Sequence, residues 1–163
     1  MRKALVIISV FISALVYSQI FSGKGDQKFH LGADFQTGAT GMHATYDYGI
    51  GQNISIGITG AYALETNNDV GKDFEDRIML RARFNANIGN VLNIDPNFDL
   101  YPGIGFSNKN FGGHLGARYF FSDGFGIYSE FTIPFAYYNS DRLTPAEEIY
   151  NQFYASVGMA FNF

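Results

Sequence analysis

In Arg77-Ile78-Met79-Leu80-Arg81-Ala82-Arg83-Phe84-Asn85-Ala86-Asn87-Ile88, two interleaved sets of residues run side by side. Ile78, Leu80, Ala82, Phe84, Ala86 and Ile88 fill one set of alternate positions; Arg77, Arg81, Arg83, Asn85 and Asn87 fill the other. A strand turns successive side chains to opposite faces, so this segment presents one apolar and one strongly polar face. The same pattern recurs from residue 28 to residue 163, and the apolar set carries no Asp, Glu, Lys or Arg.

Working outward, seven more segments alternate in this way. Their apolar rows run through Phe29, Leu31 and Phe35; Met42, Tyr46 and Tyr48; Ile54, Ile56 and Ile58; Phe98, Leu100, Ile104 and Phe106; Leu115, Tyr119 and Phe121; Ile127, Phe131, Ile133 and Phe135; and Phe153, Val157, Met159, Phe161 and Phe163. Turn residues separate them, such as Ser122-Asp123-Gly124, a hairpin signal. Pro102 sits in the fifth segment and removes a ladder donor, which predicts a bulge or a broken ladder there. Eight strands suffice for the smallest common barrel, and an even number returns both ends of the chain to one side. The expected fold is therefore all-β, an eight-stranded antiparallel up-and-down transmembrane β-barrel over residues 19–163.

A targeting segment precedes it. Arg2 and Lys3 are followed by an apolar run over residues 4–16, too short to span a bilayer as a helix. Val16-Tyr17-Ser18 then offers a small residue for cleavage, giving a signal peptide over residues 1–18. There is no Cys, which excludes a lipoprotein anchor, disulfides and thiolate metal sites. Loss of Arg2 and Lys3 moves the formal charge from −4 to −6, a poor balance for nucleic-acid binding.

Periodicity alone does not separate the inside of a barrel from its outside. A soluble lipocalin-like carrier would turn the apolar set inward. Here the apolar set is too large and too aromatic for so narrow a lumen, and the polar set mixes glycines with charges of both signs. The outermost apolar positions often hold aromatics, where interfacial girdles sit. The apolar face is expected to meet lipid, including lipopolysaccharide, in a bacterial cell outer membrane.

The chain resembles small outer-membrane barrels of the OmpA/OmpX type, and its alternating C-terminus, with Phe161 and Phe163, resembles their assembly signal. That resemblance implies recognition by the barrel-assembly machinery. The segments at residues 83–91, 99–104 and 111–130 also resemble a family of small Bacteroidetes outer-membrane barrels with no assigned activity, so no catalytic residue is carried over.

The inward charges are Lys28, Asp34, Asp47, Arg77, Arg81, Arg83, Asp99, Arg118 and Glu130. The signs nearly balance, which favours a network filling the lumen over a porin-like, charge-selective solute channel. Counting through the turn at residues 108–110 puts Asp99 opposite Arg118, with Glu130 in reach of the arginines. His30, His43 and His114 all face inward, with His43 expected near one rim and His30 near the other, so no metal site is expected. A lipid hydrolase would need a hydroxyl and a base together at the lipid-facing rim, and no His faces outward. No catalytic residue and no cofactor is expected. The loop at residues 65–76, with Glu65, Asp69, Asp73, Glu75 and Asp76, is acidic, and with residues 139–148 it falls on the outer side, a candidate binding surface. Its spacing matches no EF-hand, so a solvated face is favoured over Ca²⁺ binding. The expected protein is a monomer with a structural or surface-interaction role in the cell envelope.

Overall fold

The computed structural model describes residues 20–66, 74–138 and 145–163. Eight strands, β1 (Gln27–Gln36), β2 (Ala39–Gly49), β3 (Ile54–Thr66), β4 (Ile78–Ala86), β5 (Phe98–Ser107), β6 (Asn110–Ser122), β7 (Phe125–Tyr137) and β8 (Tyr154–Asn162), close into one barrel. Each pairs antiparallel with its sequence neighbour, and β1 closes on β8 from Lys28↔Asn162 to Gln36↔Tyr154. The chain enters β1 and leaves β8 at the same end, called here the terminal end; the other is the distal end.

Short turns set the register. Thr37-Gly38 joins β1 to β2 with Gln36 opposite Ala39, and Gly38 takes φ 75°, a conformation that a Cβ disfavours. Asn108-Lys109 joins β5 to β6, and Asp123-Gly124 joins β6 to β7. The β4–β5 ladder runs only from Arg81↔Ser107 to Asn85↔Gly103 and stops short of Pro102, which has no N–H to give. Pairing resumes in one bond, from Ile88 N to Leu100 O at 2.9 Å.

Alternation puts Phe35, Ile58, Leu80, Phe106, Phe131 and Phe135 on the outside, each more than half exposed. Lys28, Asp47, Asp99 and Arg118 are buried on the inside. Towards the terminal end, Tyr119, Phe121, Phe125, Phe161 and Phe29 form a continuous chain of ring contacts, with centroids 5.6–6.4 Å apart. Further out, Phe106, Phe111 and Phe135 form a second group, with contacts of 4.5 and 5.8 Å.

Among the described residues, three short helical turns lie between strands: α1 (Phe74–Arg77), α2 (Gly89–Leu92) and α3 (Pro145–Tyr150). Arg77 belongs to α1, not to the inner row of β4. Its guanidinium reaches the Leu64 carbonyl at 3.4 Å in an exposed position, because the ladder opposite β3 begins only at Ile78.

Candidate functional site

Three stacked layers of side chains fill the lumen. Near the terminal end, Arg118 donates from Nη2 to Asp99 Oδ2 at 2.7 Å and to Asn87 Oδ1 at 2.8 Å. Asp99 and Arg118 are register partners on β5 and β6, so the two-residue turn between those strands aligns them. Asp99 Oδ1 in turn accepts from the Gly89 N–H at 3.0 Å, which ties α2 to the network.

In the middle layer, Arg83 meets Glu130 through two contacts, Nη2–Oε2 at 2.7 Å and Nη1–Oε1 at 3.3 Å, a fork matched to a carboxylate. Arg83 Nε donates to Asn85 Oδ1 at 3.0 Å and lies 3.5 Å from Asp47 Oδ1, a charge contact without a hydrogen bond. Asn85 also meets His114 Nε2 at 2.7 Å and donates to Ser55 Oγ at 3.0 Å. Tyr101 is fully buried between the two arginines, whose guanidinium carbons stand 4.8 Å (Arg118) and 5.7 Å (Arg83) from its ring centroid. Facing it is Gly116, where a Cβ would come within 2.1 Å of the ring, so this glycine makes room for the tyrosine.

Nearer the distal end, Arg81 donates to the Tyr154 hydroxyl at 2.7 Å and to Asn110 Oδ1 at 3.1 Å. Asn110 passes the connection on to the Tyr150 carbonyl and Asn151 Oδ1, both at 2.7 Å. Asp34 accepts from Ser156 Oγ at 2.6 Å and has His43 Nδ1 at 2.8 Å, close but not aligned for a hydrogen bond. His43 Nε2 meets the Tyr128 hydroxyl at 2.5 Å, and His30 stacks on the Tyr128 ring at 4.6 Å.

The two histidines therefore sit closer in height than the sequence suggests. His43 pairs with Gly32 across β1 and β2, one inward row from His30, and Tyr128 bridges the gap. Among the described residues, no group of three His, Cys, Asp or Glu side chains is arranged to hold a metal.

Each end of the lumen carries a cover that the alternating pattern does not announce. At the terminal end, residues 20–26 fold back beneath the strands, with Ile20 and Phe21 buried against Phe120, Tyr128 and Ala160 or beside Lys28. Asp26 in this segment pairs with the buried Lys28, which also donates to Asn162 Oδ1 at 2.6 Å. At the distal end, α3 lowers Ile149 and Tyr150 onto Ala39, Ala61, Ala63 and Met79. The Tyr150 hydroxyl donates to the Arg77 carbonyl at 2.5 Å, and burial pushes this phenol above its ordinary range. Met79 is a signal for this cover in the sequence: an apolar residue on the charged row of β4 marks where that row leaves the polar lumen.

Of the acidic loop, Asp69 and Asp73 lie outside the described residues, as do the side chains of Glu65 and Glu75. Asp76 is half-buried in α1. Phe161 joins the aromatic chain on the outer wall, and Phe163 is exposed while its N–H donates to the Gln27 carbonyl at 3.1 Å.

A closed antiparallel barrel with an apolar wall and a polar interior defines the class: the fold of small transmembrane barrels. A designed transmembrane β-barrel superposes with a TM-score of 0.59 at 10% identity, over 86% of this chain and 97% of the designed one. The outer membrane protein Ail of Yersinia pestis aligns with a TM-score of 0.43 at 13% identity, over 86% of this chain and all of Ail. No curated protein matches the sequence. The chain belongs to a family of unknown function, DUF6646, whose model matches residues 11–163.

Proposed function

We propose that the protein is a bacterial outer-membrane barrel with a closed lumen, serving the cell envelope as a structural or surface-contact element. The observation that carries this reading is the filling of the lumen. The arginines of all three layers are buried and hydrogen-bonded to neighbouring side chains, and apolar side chains cover both ends. A selective pore needs a continuous wet path lined mainly by one sign of charge. Here Arg118 faces Asp99, Arg83 faces Glu130, and Lys28 faces Asp26.

The exposed apolar wall supports a lipid environment rather than a soluble carrier, which would hold its apolar row inside. On this reading the signal peptide is removed near Ser18, and the barrel-assembly machinery reads the strand that carries Phe161 and Phe163. The mature barrel is a monomer, without enzymatic activity, among phospholipid and lipopolysaccharide. The distal connections, residues 65–76 and 139–148, are the surface offered to partners.

Planar-bilayer recording of refolded protein, with folding checked by gel mobility before and after boiling, tests the proposal. The expected result is a heat-modifiable band and no conductance steps. Stable, ion-selective steps from folded protein would overturn the closed-lumen reading. Recovery of the native protein in the soluble periplasmic fraction would overturn the membrane reading.

A further inference from the structure

The connection between β4 and β5, residues 89–97, is long for a turn at the terminal end, and several of its polar groups tie it to the barrel. The Gly89 N–H donates to Asp99, and Asn90 Nδ2 donates to the Phe21 carbonyl at 3.1 Å. Asn93, at φ 49°, closes α2 through its N–H to the Gly89 carbonyl. Asp95 accepts from the Asn97 and Phe98 amides, and the Asn97 carbonyl accepts from Phe120 N. The segment is thus fixed to the barrel floor from within. It turns three large apolar side chains outward, Val91 at 65% exposed, Leu92 at 44% and Ile94 at 68%, with the uncharged Asn90, Asn93 and Asn97 exposed beside them.

We propose that this connection is an interfacial anchor, with Val91, Leu92 and Ile94 seated in the phospholipid leaflet at the terminal end. The inference rests on the reading of the barrel as membrane-spanning. Two features select lipid as the occupant. The first is continuity with the apolar wall: the segment runs directly into Phe98, which pairs across the sheet with Tyr119 of the terminal aromatic chain. The second is what the surface lacks as a protein interface. Asp95 is the only charged residue between Arg83 and Asp99, so the surface offers almost no charge for a protein partner to pair with. Three side chains also fall well short of the roughly 800 Å² per partner of a stable dimer. An apolar face lying at the headgroup boundary needs neither charged partners nor a large area.

The sequence contains no Trp, so one introduced indole reports without background. Ile94→Trp is reconstituted in phosphatidylcholine–phosphatidylglycerol vesicles with brominated acyl chains. Phe131→Trp on the wall and Gln52→Trp in the exposed turn at the same end serve as lipid and water references. Ile94→Trp should emit to the blue of Gln52→Trp and lose intensity in brominated lipid to a degree comparable with Phe131→Trp. Emission and quenching like those of Gln52→Trp, with Phe131→Trp still quenched, would overturn the anchor and leave the membrane reading intact. A blue-shifted but unquenched indole would also overturn it, since protein rather than lipid would then cover the site. If Phe131→Trp itself escapes quenching, the membrane reading has failed. Val91→Trp supplies the same readout should Ile94→Trp fold poorly.

Discussion

Replacing Glu130 with Gln removes one charge from the middle of the lumen and almost nothing else. Its carboxylate faces Arg83 at 2.7 and 3.3 Å with both side chains buried. At an effective dielectric of 20, opposite charges about 3 Å apart attract by about 5 kcal/mol. Part of that loss is recovered, because a neutral amide costs less to bury and still offers one acceptor. Asp47, 3.5 Å from Arg83 Nε, also remains as a counter-charge. The expected cost of Glu130→Gln is therefore about 3 kcal/mol, the lower end of the range for breaking a buried pair. Asp47→Asn alone should cost about 1 kcal/mol, because that carboxylate makes no hydrogen bond to the protein and its guanidinium keeps the Glu130 fork. Together the two changes leave Arg83 without a carboxylate, and the double variant should exceed the sum of the single ones by at least about 1 kcal/mol. Urea unfolding in lipid vesicles, followed by circular dichroism and the heat-modifiable gel band, measures all three. Additivity within about 0.5 kcal/mol would refute the idea that Asp47 and Glu130 share one cation. A cost below about 1 kcal/mol for Glu130→Gln would mean that the pair behaves as a solvated one.

Three further outcomes are expected. Gly116→Ala drives a methyl into the Tyr101 ring and should cost about 1–3 kcal/mol, with Gly116→Ala/Tyr101→Leu recovering part of it in the same unfolding assay. Phe131→Arg places a charge on the wall beside Phe153, 5.8 Å away, and should cost about 2–4 kcal/mol in vesicles; undiminished stability there would contradict a lipid-facing wall. Ile149→Ala/Tyr150→Ala strips the distal cover and should lower stability by at least about 2 kcal/mol, yet leave bilayers silent, because the Arg81–Tyr154–Asn110 layer still spans the lumen beneath it. Conductance from that variant would identify α3 as the gate.

Strands and faces were legible because a half-polar barrel forces its charges onto every second residue, and β4 shows this most plainly. The opposition of Asp99 and Arg118 was legible for a related reason: a two-residue turn leaves no freedom of register. The covers were not. Ile20 and Phe21 follow the apolar run of residues 4–16 in sequence, and nothing local marks them as docking beneath the strands. Asp26 lies outside any alternating segment, so alternation does not mark it as the partner of Lys28, and Arg77 continues the pattern of β4 in sequence although it folds into α1. The helical turns α1 and α3 are only four and six residues long and hold their place through tertiary contacts, which periodicity does not encode. For the same reason the heights of His30 and His43 followed from the cross-strand register and not from their distance to the nearest turn.

The seam between β1 and β8 bears on time as well as shape. Lys28 and Asn162, 134 residues apart, hydrogen-bond across it, and every rung of that ladder needs the eighth strand in place. While that seam is open, β1 presents an unpaired edge whose N–H and C=O groups can template another strand. Of the eight seams this one joins the residues furthest apart in sequence, so it carries the largest loop-closure entropy. Shortening β8 by two or three residues should therefore delay closure far more than the few lost contacts would suggest, lengthening the interval in which the chain must be kept from pairing with its own kind.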